Sequence, residues 1–173
     1  LLFSATLPAN IVRISKKYLI NPARVDVSDN SGPPISIKQD ILRIKDADKY
    51  PNLLSQLKER NGSIIIFVKT KSSTEKLAKK LSNDGFSTDA IHGDLRQSRR
   101  ERVLRNFRNM KYRILVATDV AARGLDIPHI QHVINYDIPQ CADDYIHRIG
   151  RTARAGADGG SLILVTQSDK GKW

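Results

Sequence analysis

The sequence predicts an α/β fold of three layers, doubly wound around a mostly parallel sheet. Three observations carry this expectation. Four short apolar runs, SIIIFV from Ser63, RILVAT from Arg113, HVINYD from His132 and SLILVT from Ser161, are continuous and rich in isoleucine and valine, as strands buried on both faces of a parallel sheet are. The segments between the first two runs read as helices. A weaker strand, TDAI from Thr88, lies between those helices, so that strand and helix alternate as right-handed crossovers require.

The elements follow in chain order. LPANIVRISKKYLINPARV, from Leu7, can form a helix opening near Pro8, and SDNSGPPIS, from Ser28, is a turn-rich linker. The α/β domain is therefore expected to span residues 35–173, with residues 1–34 belonging to something else. After the Ser63 run, Ser72 and Glu75 match the capping-box spacing, in which hydroxyl and carboxylate reciprocally satisfy free backbone N–H groups. Leu77 and Leu81 continue that helix at apolar spacing. Ser98 and Glu101 repeat the signal, followed by Val103, Phe107 and Met110.

Composition narrows the function. With 173 residues, 40% hydrophobic, the chain can bury one full core. Lysine and arginine total 29 against 18 acids, a net charge of +11 and a pI near 10.0, which favours a polyanionic partner such as nucleic acid. Cys141 is the single cysteine, which excludes an intramolecular disulfide and fits a reducing compartment. No apolar run approaches a membrane span and no secretory leader opens the sequence, so a cytoplasmic protein with no membrane partner is expected.

Ligands of doubly wound folds bind outside the carboxyl ends of the strands, which directs attention to the residues just after each run. In HGDLRQSRRERVLRNFR, Gly93 permits close backbone approach, the helix near Ser98 presents free N–H groups, and Arg100 lies in its first turn. A phosphate would be stabilised there. Arg102, Arg105 and Arg108 read instead as a solvated helix face. In ATDVAARGLD, polar Thr118, Asp119, Arg123 and Asp126 alternate with Ala121, Ala122 and Gly124, suiting a surface that touches a sugar-phosphate backbone and a second ligand, with Asp126 accepting from ribose hydroxyls. YIHRIGRTARAG places Arg148, Arg151 and Arg154 around Gly150 and Thr152, poor helix formers. A short helix running into a loop that aims the guanidinium groups outward, toward phosphoryl oxygens, is expected. His129 and His132 lack further ligands to hold a metal, and Cys141 has no organised base beside it.

Together, SAT at Ser4–Thr6, IIIFVKTK at Ile64–Lys71, IHGDLRQSRRERVL from Ile91, ILVATDVAARGLDIP from Ile114, VINYDIP from Val133 and YIHRIGRTARAG from Tyr145 resemble, in order and spacing, the DEAD-box RNA helicases. The resemblance implies the second of two RecA-like domains, with residues 1–34 the end of the first domain and the linker. It implies ATP and Mg²⁺ in the cleft of the intact enzyme, none held tightly by this chain alone, and single-stranded RNA gripped by its backbone. By motif, Arg151 and Arg154 would reach the γ-phosphate, Arg154 as arginine finger, and His147 would help couple the domains; these three form the catalytic set. Asp126, with the two arginines, would bind the nucleotide, and Thr70, Lys71, Gly93, Arg100 and Thr118 would contact RNA. Where family members commonly carry glycine, this chain has Ala153. The chain contains neither a G-x-x-x-x-G-K-[ST] phosphate loop nor an Asp-Glu pair, the parts the first domain contributes. A monomeric fragment, inactive without that domain, is the expectation. Its rivals are a DNA translocase of the same fold and a stand-alone RNA-binding domain.

Overall fold

The computed structural model describes residues 1–2, 9–25, 37–125, 127, 129–153, 158–169 and 171. The chain divides into two units, Leu1–Gly32 and Pro33–Trp173. In the first, α1 spans Ala9–Tyr18, with Lys16 and Lys17 in the last turn, where cations suit the negative end of the helix dipole. The linker segment expected from Ser28, and the boundary expected at residue 34, lie outside the described residues, apart from the unit division itself.

The second unit is built on β1 (Ile37–Arg43), β2 (Ser63–Phe67), β3 (Thr88–Ile91), β4 (Ile114–Ala117), β5 (Ile130–Asn135) and β6 (Gly159–Val165). They form one sheet in the order β1-β6-β5-β2-β4-β3, with every pairing parallel. All four apolar runs and the weaker strand become strands of this sheet. Helices α2 (Lys49–Glu59), α3 (Lys71–Asn83), α4 (Gln97–Arg108), α5 (Asp119–Ala122) and α6 (Ala142–Ile149) connect them.

Strand β2 shows why the runs are apolar without alternation. Ile64 and Ile66 pack on one face with Leu53 and Leu57 of α2 and Leu77 and Leu81 of α3. Ile65 and Phe67 pack on the other with Val103 and Phe107 of α4 and Ala121 of α5. Each such side chain, fully removed from water, contributes about 1.5–3 kcal/mol. Two cores separated by one sheet make the three layers.

Three local expectations are corrected. The box at Ser72 does not form, because α3 begins at Lys71, two residues before the start that a Ser72 cap would set; Thr70 is the N-cap, in extended backbone (φ −122°, ψ 153°), and its hydroxyl oxygen accepts the Ser73 N–H at 3.1 Å. Glu75 turns instead to His92, with Oε1 2.7 Å from Nε2. The box at Ser98 fails for the same geometric reason. Helix α4 starts at Gln97, its N-cap Arg96 makes no side-chain capping bond, and Glu101 accepts from the Gln97 amide at 2.8 Å. Met110 follows the helix rather than continuing it, in left-handed backbone (φ 57°) and 54% exposed.

Candidate functional site

The carboxyl ends of three neighbouring strands place most of the expected RNA-contacting residues side by side. Thr70 and Lys71 follow β2, Gly93 follows β3 and Thr118 follows β4, and these strands are adjacent in the sheet as β2-β4-β3. Backbone bonds continue past the strand ends: Val68 N–H donates to Ala117 O at 3.0 Å, and Thr118 N–H to Ile91 O at 3.3 Å. Thr118 is buried, while Thr70, Lys71 and Gly93 are exposed. A Cβ built on Gly93 would lie 3.6 Å from Lys71 Cε, and Lys71 Nζ meets Asp94 Oδ1 at 2.5 Å on the open surface. Arg100, in the first turn of α4, donates from a terminal guanidinium nitrogen to Ala121 O at 2.7 Å, tying α4 to α5. These donors and glycine form one rim, suited to an extended anionic chain passing over the strand ends.

Of the residues expected to face the nucleotide or couple the domains, His147 and Arg151 are described. Arg151 follows α6, and its Nε donates to His147 O at 3.1 Å and its Nη1 to Leu125 O at 2.9 Å. The second bond ties this arginine to the residue preceding Asp126. Asp126 itself and Arg154 lie outside the described residues. His147 Nδ1 is buried with no hydrogen-bond partner among the described residues, an unmet polar atom on the helix that Arg151 follows. No three His, Cys, Asp or Glu side chains cluster to hold a metal among the described residues.

Arg148 does not point outward as its place in the sequence led one to expect. Its side chain is 1% exposed. Nε and Nη2 fork onto the two oxygens of Asp119 at 2.6 and 2.8 Å, while Nη1 donates to Asn135 Oδ1 at 3.0 Å and to Asp137 O at 2.6 Å. The guanidinium carbon also stands 5.0 Å from the centre of the Phe67 ring. A buried charge is tolerable only when paired and fully hydrogen-bonded, and four acceptor atoms on three residues meet that need. The Asp137 carboxylate in turn accepts the Lys69 N–H and the Lys49 ammonium, each at 2.8 Å. One hydrogen-bonded network thus runs from α6, through Arg148, to α5 on one side and to the Lys69–Thr70 turn on the other.

Sequence reasoning missed this hub. Its signal was polar Asn135 directly after Val133 and Ile134 in a segment read as a buried strand, since a polar side chain in a strand buried on both faces needs a partner.

A family model described as the helicase conserved C-terminal domain matches residues 47–156. ATP-dependent RNA helicase vasa of Drosophila melanogaster is 45% identical over 159 residues, covering 92% of this chain and 24% of that protein. The chain belongs to the DEAD-box helicases, as a C-terminal RecA-like domain.

This DEAD-box domain is also 41% identical over 171 residues to DEAD-box ATP-dependent RNA helicase CshA of Bacillus subtilis, covering 98% of the chain and 35% of the relative. The chain thus spans roughly a quarter to a third of the length of these curated relatives. Among solved structures, Dbp5 of S. cerevisiae bound to RNA and ADP BeF3 superposes with a TM-score of 0.83 at 36% identity, over 95% of this chain and 44% of that one. A DEAD box protein from Methanococcus jannaschii superposes at 0.73 with 40% identity, over 96% and 45%.

Within the domain, the departure at Ala153 falls where the backbone is left-handed, φ 54°. A Cβ there costs about 1–2 kcal/mol that glycine avoids. The neighbouring Thr152 is locked, its hydroxyl oxygen lying 2.7 and 2.9 Å from the carbonyls of Ile130 and Gln131. Gly159 is required beside it, since a Cβ at that position would stand 2.6 Å from Thr152 Oγ1. The loop departing from α6 is therefore anchored on β5 before it reaches Arg154.

Proposed function

We propose that this chain is the C-terminal half of an ATP-dependent RNA helicase that grips single-stranded RNA by its backbone and completes a nucleotide site held by a preceding RecA-like domain. Thr70, Lys71, Gly93, Arg100 and Thr118 hold the RNA; Arg151, Arg154 and Asp126 face the nucleotide; His147 works at the junction of the two domains. Residues 1–34 are the end of the preceding domain and the linker, and residues 35–173 are the working domain. The observation that carries this reading is the convergence of the RNA set at the carboxyl ends of β2, β4 and β3, with α6 and its Arg151 joined to that rim through Arg148.

Each residue type suits its role. Arginine donates in a planar fork to phosphoryl oxygens and keeps its charge at any working pH. Glycine lets a phosphate approach the main chain, and contacts limited to the backbone give affinity without sequence choice. ATP is the substrate. The metal and the groups that position the attacking water belong to the preceding domain, and this chain contributes donors that neutralise charge developing on the transferred phosphoryl group.

The test compares ATP turnover by this chain alone with turnover by the same chain joined through its own linker to the preceding domain, each with and without single-stranded RNA. The chain alone is expected to show none, and the joined protein to show turnover raised by RNA. Turnover by the chain alone that tracks the purified protein, or a joined protein indifferent to RNA, would refute the reading.

A further inference from the structure

Helix α4 carries an arginine at every third position: Arg96 at its N-cap, then Arg99, Arg102, Arg105 and Arg108. All five are exposed. Residues three apart form a row inclined to the helix axis, so the five make an oblique stripe across about 18 Å of helix. Among the described residues, no hydrogen bond or ion pair engages the side chains of Arg96, Arg102 or Arg105, and Arg99 has only Asp89 at 3.8 Å. The helix's one acid, Glu101, accepts from Gln97. Beside the stripe, Glu101, Leu104, Arg105, Arg108 and Asn109 line an open groove of about 310 Å³.

We propose that this stripe is a second RNA-binding track, which takes up the flank of a single strand leaving the rim formed by Thr70, Lys71, Gly93 and Thr118. The proposal rests on the RNA-binding reading above and extends it to residues which that reading leaves in solvent. Three physical points favour it over a solvated face. Like charges three residues apart on a helix repel, and the stripe sets Arg96, Arg99, Arg102 and Arg105 in succession, with Asp89, 3.8 Å from Arg99, and Glu101, on the same helix, as the nearby acids among the described residues. Every basic residue of α4 is arginine, the side chain whose fork matches phosphate, although lysine is abundant elsewhere in the chain. The stripe also begins at Arg96, three residues after Gly93, and shares its helix with Arg100; the one acid between Gly93 and Arg96, Asp94, is paired with Lys71, so one strand can run from rim to stripe over largely positive surface. An acidic protein would need no such continuity.

The experiment measures the salt dependence of binding of oligouridylate to this chain and to its Arg102→Gln/Arg105→Gln variant, with RNA of about six and about twenty nucleotides. Glutamine keeps helix propensity, and thermal melting of both proteins checks the fold. Each phosphate contact to a single strand contributes about 0.7 to the slope of log affinity against log salt. The variant is expected to lose about 1.4 in slope on the long RNA and nothing on the short one. Equal losses at both lengths would mean that the arginines act only as a general field, and would overturn the track. Unchanged slopes at both lengths would overturn it too and would leave an acidic protein or solvent as what the stripe meets. If the unmodified chain bound neither RNA, the underlying RNA-binding reading would fall, and the track with it; binding of the short RNA alone would sink the track while sparing that reading.

Discussion

At Arg148 a single guanidinium meets a carboxylate, an amide oxygen and a main-chain carbonyl while nearly sealed from water. Lysine at this position would keep the charge and lose the fork, leaving Asp119 and Asn135 short of donors in a dry site. Breaking a buried ion pair costs about 3–5 kcal/mol, so Arg148→Lys is expected to lower the melting temperature by on the order of 10 °C. The exposed change Arg105→Lys should shift it by far less. Equal melting of the two variants would show that the network contributes little to stability. His132 makes a second prediction. Burial first, and repulsion from Arg60 second, hold its pKa below the ordinary 6.5. The unfolded chain therefore binds a proton at a pH where the folded one does not, so this histidine's contribution is complete above 6.5 and is lost as pH falls toward the lower folded pKa. Melting temperatures at pH 7.5 and 5.5 should differ more for the native chain than for His132→Gln. The same drop in both would remove His132 from the account.

Among the elements, the cap of α3 separates two readings that one residue distinguishes. Thr70 holds the Ser73 N–H, whereas Ser72 already sits inside the helix. Thr70→Ala is expected to cost about 1 kcal/mol, and Ser72→Ala much less; urea denaturation of the two measures it, and a costlier loss at Ser72 would reinstate the capping box. The central strands were legible because burial on both faces leaves only apolar residues in register, as in Ile64–Phe67. β1 was not legible. Its sequence IKQDILR lies at the sheet edge with a mixed pattern of exposure, so neither continuity nor clean alternation marks it. α2 was missed as well, although Leu53 and Leu57 are fully buried one helical turn apart; its Pro51 stands in the first turn of the helix, where its absent N–H is not needed. At the site, residue types and their spacing after each strand were readable from the sequence, but the inward turn of Arg148 was not. It depends on Asp119 and Asn135 arriving beside α6 from elements distant in the chain.

At the scale of the whole molecule, the order of the sheet sets a condition on time. β1 comes first among the strands of the second unit, yet its sheet partner is β6, the last, with Ile37 opposite Gly159 and Arg43 opposite Val165. The central strands β2, β4 and β3 pair among themselves over much shorter stretches of chain. A ribosome adding about 5–20 residues each second would leave β1 without its partner for on the order of ten seconds, its backbone donors unpaired and Ile37 uncovered. Long-range pairings also form late because loop closure must precede them. In refolding followed by pulse-labelled hydrogen exchange, the amides of β2 and β4 should therefore gain protection before those of β1. Simultaneous protection would mean that the edge closes in the same step as the centre. Where the order holds, the newborn chain passes through a stage in which a half-built sheet offers an open strand to its neighbours, and the synthesis of β6 ends that exposure.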